Sequence, residues 1–149
     1  MAKPVTRRFG DLRVYLDTST TSTPTFEMPC GFTDKSLELT ADASDIAVPD
    51  CDDPDGAIWN ERDIRTRNAR VTGQGVLAME SSEEWRSFFL NGSRLVRVEI
   101  NAPAADGGGY WQGRAVLTSW RIDGTLGDKL KSNVEMSNDG EWVWTAATA

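Results

Sequence analysis

Alternation of apolar and polar positions dominates the chain. From Asp11 to Asp17, Leu12, Val14 and Leu16 fall on one face and Arg13, Tyr15 and Asp17 on the other, which predicts a first strand. Asp17 to Thr25 is almost all Thr and Ser with one Pro, a composition that exposes backbone and predicts a loop. Lys35 to Val48 carries Leu37, Leu39 and Ala41, then Ile46 and Val48 after a break at Asp42 to Ser44. This reads as a kinked edge strand that Pro49 stops. Asp50 to Asp63, DCDDPDGAIWNERD, shows no period and predicts a long polar loop. Arg70 to Ala78 resumes as strand with Gly73 and Gly75 inside it, where glycine marks a bulge or the close approach of a neighbouring backbone.

The period then changes once. Ser81 as N-cap and Glu84 three residues on form a capping box, Trp85, Phe88 and Phe89 follow at i, i+3 and i+4, and Asn91-Gly92 ends the helix. A helix of about ten residues is marginal alone in water, so the Trp85/Phe88/Phe89 stripe is expected to lie buried on a sheet. Strands are expected again over Arg94 to Asn101, with Val96, Val98 and Ile100 on one face, over Tyr110 to Ile122, Lys129 to Met136 and Glu141 to Thr145. Ala102 to Gly109, Asp123-Gly124 and Asn138-Asp139-Gly140 are the turns between them. One helix among hairpin-connected strands, with no βαβ unit, predicts a mainly β fold: a β-sandwich or partly closed β-barrel flanked by one α-helix. Residues 1–10 read as a basic N-terminal arm, and residues 11–149 as a single domain.

Composition narrows the chemistry. The 149 residues suit one domain with a real core. The formal charge of −7 repels phosphate, which argues against simple nucleic-acid capture. There is no histidine, so His-metal sites, Ser-His-Asp and Cys-His catalysis are excluded together. Cys30 and Cys51 lack CxxC spacing and read as free thiols. The N-terminus, MAKPVTRRFG, has basic residues without an apolar stretch behind them, so a soluble protein without signal peptide is expected, with no membrane partner.

The remaining candidates fall short of a catalytic or cofactor site. Gly73-Gln74-Gly75-Val76-Leu77-Ala78 matches the dinucleotide G-x-G-x-x-G/A string, but the glycines sit in a strand and the helix starts too late. Asp50, Asp52 and Glu61 fall at positions 1, 3 and 12 of an EF-hand register, but Pro54 and Asp55 stand where the motif needs an oxygen ligand and a glycine. No pair of carboxylates is singled out for acid-base work. Six tryptophans could form a sugar-binding face, but Trp85, Trp111 and Trp120 fall at core or strand positions. No catalytic residue, cofactor or metal ligand is expected. The charge contrast between Asp42, Asp45, Asp50, Asp52, Asp53, Asp55 and the following Arg62, Arg65, Arg67, Arg70 is either attraction within one loop or a pair of patches through which identical subunits dock head to tail.

The order of these pieces carries a resemblance. GFTDKSLELTADASDIAVPD, a long Trp-containing loop, ARVTGQGVLAMESSEEWRSFFLNG, RLVRVEI, and YWQGRAVLTSWRIDGTLGDKLKSNVEMSNDGEWVWTA together resemble the major tail proteins that build the tail tube of long-tailed bacteriophages and gene transfer agents. The resemblance spans Gly31 to the C-terminus. It implies a β-sandwich or barrel with one flanking helix, subunits in six-fold rings, and rings stacked into a hollow conduit through which DNA passes unbound during ejection.

The resemblance further implies that the loop from Asp50 to Asp63 reaches the neighbouring ring. Asp50, Asp52, Asp53, Asp55, Trp59, Arg62, Arg65 and Arg67 are then the assembly residues, with Trp59 as apolar anchor and the N-terminal arm contributing. Glu38, Arg97, Glu99 and Glu135 are the lumen candidates. Implied partners are copies of the chain itself and the tape measure, tail tip and tail terminator proteins; the implied location is the virion tail, assembled in the host bacterial cytoplasm. The alternatives are the inner tube of a contractile injection or secretion system, and a barrel binding a small ligand.

Overall fold

The computed structural model describes residues 3–18 and 23–148. Residues 1 and 2 of the expected arm, 19–22 of the Thr/Ser loop and 149 lie outside the described residues. Eight strands and one α-helix follow in the order β1 (Leu12–Asp17), β2 (Phe26–Glu27), β3 (Phe32–Ala47), β4 (Asn60–Val76), α1 (Met79–Asn91), β5 (Ser93–Ile100), β6 (Gly109–Asp123), β7 (Lys131–Asn138) and β8 (Val143–Ala146). The mainly β class with one helix is as the alternation predicts. Every strand belongs to one antiparallel sheet, ordered β2-β1-β5-β6-β7-β4-β3, with β8 beside the first part of β6. The sheet is not closed by a ladder. Its two margins are instead drawn together by a side chain: Lys35 on β3 donates from Nζ to the Leu12 carbonyl at 2.7 Å and sits 4.4 Å from the Phe9 ring centroid.

The core fills the inside of this curled sheet. Val14 and Leu16 on β1, Val71 on β4, Val96 and Val98 on β5, Ala115 and Leu117 on β6, and Val134 and Met136 on β7 all point inward. Each is an alternate position of its strand, as a half-buried sheet requires. From α1, Trp85 and Phe88 enter the same cluster, and the Phe32 ring meets Trp85 edge-on at 5.8 Å.

Several expectations need correction. α1 begins a turn earlier than the proposed cap, with Ala78 as N-cap and no side-chain cap bond. The side chains assigned to capping are used elsewhere. Ser81 Oγ accepts the Cys30 N–H at 3.3 Å, Ser82 Oγ donates to the Met79 carbonyl at 2.9 Å, and Glu84 accepts from Arg94 of β5 at 2.9 Å. Phe89, expected in the buried stripe, is 57% exposed beside Leu90. Of the expected aromatic stripe only Trp85 and Phe88 are buried, and Phe89 lies on an exposed flank of the helix.

The G-x-G string behaves as a strand under pressure from its neighbour. A Cβ on Gly75 would strike the Gly31 carbonyl and the Thr33 nitrogen, where β3 slips register between Phe32 and Asp34. A Cβ on Gly73 would come within 2.9 Å of the Phe32 ring.

Candidate assembly surfaces

The largest departure from the sequence reading lies at residues 48–69. The expected loop from Asp50 to Asp63 is shorter, because β4 starts at Asn60 and pairs with β3 from Ala47 opposite Asn60 back to Phe32 opposite Gly75. Arg62, Arg65 and Arg67 are therefore strand residues, whereas Asp50, Asp52, Asp53, Asp55 and Trp59 remain in the connecting loop. Strand β7 covers β4 only over Arg70–Val76. Beyond Leu39 and Ala69 the hairpin has no further strand beside it and projects as a two-stranded arm, roughly 27 Å long at about 3.3 Å per residue.

This arm buries almost nothing. From Thr40 to Asn68 only Ser44 and Gly56 are even partly covered. Leu39, Ile46, Val48, Ile58 and Ile64 are 38 to 53% exposed, and Trp59 at the end of the tip loop is 93% exposed. The strands are pinned by their ladder and by Arg62 donating to Asp45 at 2.8 Å, an exposed pair worth under about 1 kcal/mol. An isolated two-stranded ribbon is only marginally stable in water. At the root, Arg65 is the extra residue of a bulge, because Thr66 pairs with Asp42 and Ile64 with Ala43.

The four lumen candidates share the sheet face opposite the core. Glu38 lies across the ladder from Arg70, which ion-pairs with Glu135 at 2.8 Å. Glu99 sits opposite Arg13 on β1 and Tyr110 on β6. The Arg97 guanidinium is clamped 4.2 Å from the ring centroids of both Phe26 and Tyr110, and its Nε and Nη2 donate to Gln112 Oε1 at 3.1 and 2.8 Å. That clamp fixes the short β2 to the sheet, a role no sequence spacing signalled because Phe26 and Tyr110 are distant in the chain.

At the open end of the core, the arm's root and the β6–β8 region enclose an apolar groove of about 650 Å³. Leu39, Ile64, Trp111 and Trp142 line it, together with the charged Arg65, Arg67 and Glu141. Trp142 lies over Gly113, where a Cβ would collide with its indole, and donates Nε1 to the Arg114 carbonyl at 2.9 Å. Trp111 packs against Trp144 with centroids 5.5 Å apart. Among the described residues no cluster of carboxylates or thiols could hold a metal ion, and no helix is long and apolar enough to cross a membrane.

A model of the phage tail tube protein family matches residues 8–143. The chain belongs to the phage tail tube protein family. It is thus a structural subunit of a tail tube, and catalysis is not what this family does. Solved structures share the tail tube fold. A chain in the tail of an empty gene transfer agent particle, determined with C6 symmetry, is 24% identical with a TM-score of 0.75, over 95% of this chain and all of that one. A chain of the native gene transfer agent virion is 21% identical with a TM-score of 0.72, over 95% of this chain and all of that one. The SPP1 tail tube protein gives 7% identity and a TM-score of 0.64, over 95% of this chain and 80% of that one. No protein with a curated description matches the sequence.

Proposed function

We propose that six copies of the chain form a ring, that rings stack into a tube, and that DNA passes along the tube during ejection without being specifically bound. The observation that carries this reading is the arm. A two-stranded ribbon with Leu39, Ile46, Val48 and Trp59 exposed is a poor stable element for a solitary subunit, and contact with a second copy would cover both its apolar side chains and the free edge of β3. The six-fold symmetry of the related gene transfer agent tail supports the ring count. The acidic balance supports passage rather than capture, because Lys and Arg contacts to phosphate are what make DNA adhere, and a ring multiplies the −7 charge sixfold.

In this reading the face bearing Glu38, Arg97, Glu99 and Glu135 lines the conduit, while Asp50, Asp52, Asp53, Asp55, Trp59, Arg65 and Arg67 take part in contacts between copies. The tube would lie in the virion tail, assembled in the host bacterial cytoplasm, with tape measure, tail tip and tail terminator proteins at its interior and ends. A small-ligand barrel is disfavoured because the inside of the sheet is filled by Leu16, Trp85, Phe88 and Met136. Replacing residues 41–67 by a short turn tests the proposal: the shortened chain is expected to stay folded and monomeric, and tubes from it would exclude the arm as the assembly element.

A further inference from the structure

The sheet face opposite the core is densely charged, yet its charges balance. Three opposite-sign pairs stand directly across its ladders: Arg13 with Glu99, Glu38 with Arg70, and Lys131 with Asp123. The other ionic side chains of that face, leaving the arm aside, are Arg97, Arg114 and Arg121 against Asp17, Asp34 and Glu135, so six cations meet six anions. The chain's −7 therefore lies off this face, most densely in residues 48–59, where Asp50, Asp52, Asp53 and Asp55 stand without a Lys or Arg. An arm roughly 27 Å long carries that loop away. Salt at physiological strength screens exposed charges beyond ~8 Å, so at contact distance DNA would meet this face's own charges and not the excess.

The arginines of the face are already engaged. Arg70 of β4 has Glu38 of β3 directly across the ladder on one side and Glu135 of β7, its ion-pair partner at 2.8 Å, on the other. Arg121 pairs with Asp123 at 2.9 Å, Arg97 is held between Phe26 and Tyr110, and Arg114 donates to Ser93 Oγ and to the Ser93 carbonyl. We infer that Glu38, Glu99 and Glu135 keep Arg70 and Arg13 from DNA phosphate, so that this face is non-adhesive by local pairing and not by net negative charge. Each guanidinium that reaches a phosphate releases counterions and adds to affinity. A carboxylate fixed beside the guanidinium opposes that step twice, by occupying its donors and by repelling the incoming phosphate. The inference rests on the reading that this face lines the conduit, to which it adds the residues that let DNA slide.

The test is binding of a short labelled DNA duplex to the unassembled chain, followed by fluorescence anisotropy over a salt series. Glu38→Gln/Glu99→Gln/Glu135→Gln removes three negative charges from the face, and Asp52→Asn/Asp53→Asn/Asp55→Asn removes three from the tip loop, so the two variants carry the same net charge. The face variant should bind the duplex at low salt on the order of tenfold tighter than the tip variant, with a salt slope steeper by about two for the two freed arginines. Adding Arg13→Gln/Arg70→Gln to it should abolish the gain. Glu135→Gln alone, a milder change that frees Arg70, should steepen the slope by about one. Equal binding by the two triple variants would overturn the inference, because net charge and not pairing would then govern adhesion. So would a face variant, or Glu135→Gln, that keeps the circular dichroism of the sheet and binds no better than wild type. Wild-type protein that forms no tubes at any concentration overturns the conduit reading instead, since the binding measurement needs no assembly.

Discussion

Trp85 and Phe88 stack one helical turn apart on α1, their ring centroids 6.4 Å apart and their planes within 12°. Phe88 is completely buried, and Arg94 of β5 both covers its ring at 5.6 Å and bonds Glu84. The helix is thus held by one aromatic pair and one charged clasp rather than by a broad apolar stripe. Phe88→Ala should cost about 3 to 5 kcal/mol by emptying a filled site, while Phe89→Ala, on the exposed flank, should change folding stability by less than about 1 kcal/mol. Denaturant titration of both variants decides it; equal losses would mean that Phe89 is part of the core.

At Gly75 the backbone of β4 is crowded by Gly31 and the first residues of β3. Gly75→Ala should destabilise by about 1 to 3 kcal/mol, because the added methyl meets the backbone of Gly31 and Thr33, which cannot rotate aside. Gly10→Ala is the control, since nothing lies within 4 Å of a Cβ there. A thermal midpoint unchanged in Gly75→Ala would show that the bulge relaxes at no cost.

These elements divide by how legible they were. Val14/Leu16, Val96/Val98 and Val134/Met136 announced their strands because one face of each is buried, and burial of one face is what imposes a period of two. Asn60 to Asn68, NERDIRTRN, is equally extended but exposed on both faces, so nothing selects alternation and the stretch reads as loop. The capping box failed for a related reason. Ser81 and Glu84 had partners on Cys30 and Arg94 that only the folded chain brings near. The apolar groove was illegible because it joins Leu39 and Ile64 to Trp111 and Trp142 across the fold.

Hydrogen exchange should find the arm the least protected part of a free subunit. Its ladder bonds at residues 41–47 and 60–68 are exposed, with few buried apolar contacts to hold them, whereas β5 and β6 are covered by α1. Assembly should slow exchange there more than anywhere else. Protection of the arm equal to that of β5 in a verified monomer would contradict this.

Lys35 gives the fold a pH dependence. Burial, followed by the nearby Arg13, holds its pKa below the ordinary 10.5. Between the lowered value and 10.5 the unfolded chain binds more protons than the folded one, so this group's contribution to stability improves as pH rises through that interval. Urea unfolding of wild type and Lys35→Met at pH 8 and at pH 10.5 should show the difference between them shifting in favour of wild type at the higher pH. A shift in the opposite direction would mean that Lys35 is stabilised as a cation.

A chain that builds a tube through its arm should assemble from copies of itself alone. Negative-stain microscopy of the purified full-length protein across a concentration series measures that directly. Rings or hollow tubes about 100 Å across are expected, a few domain diameters for a chain of this length. These should vanish when residues 41–67 are replaced by a short turn while the circular dichroism of the sheet remains. A full-length protein that stays a dispersed monomer at every concentration, or tubes that persist without the arm, would contradict it.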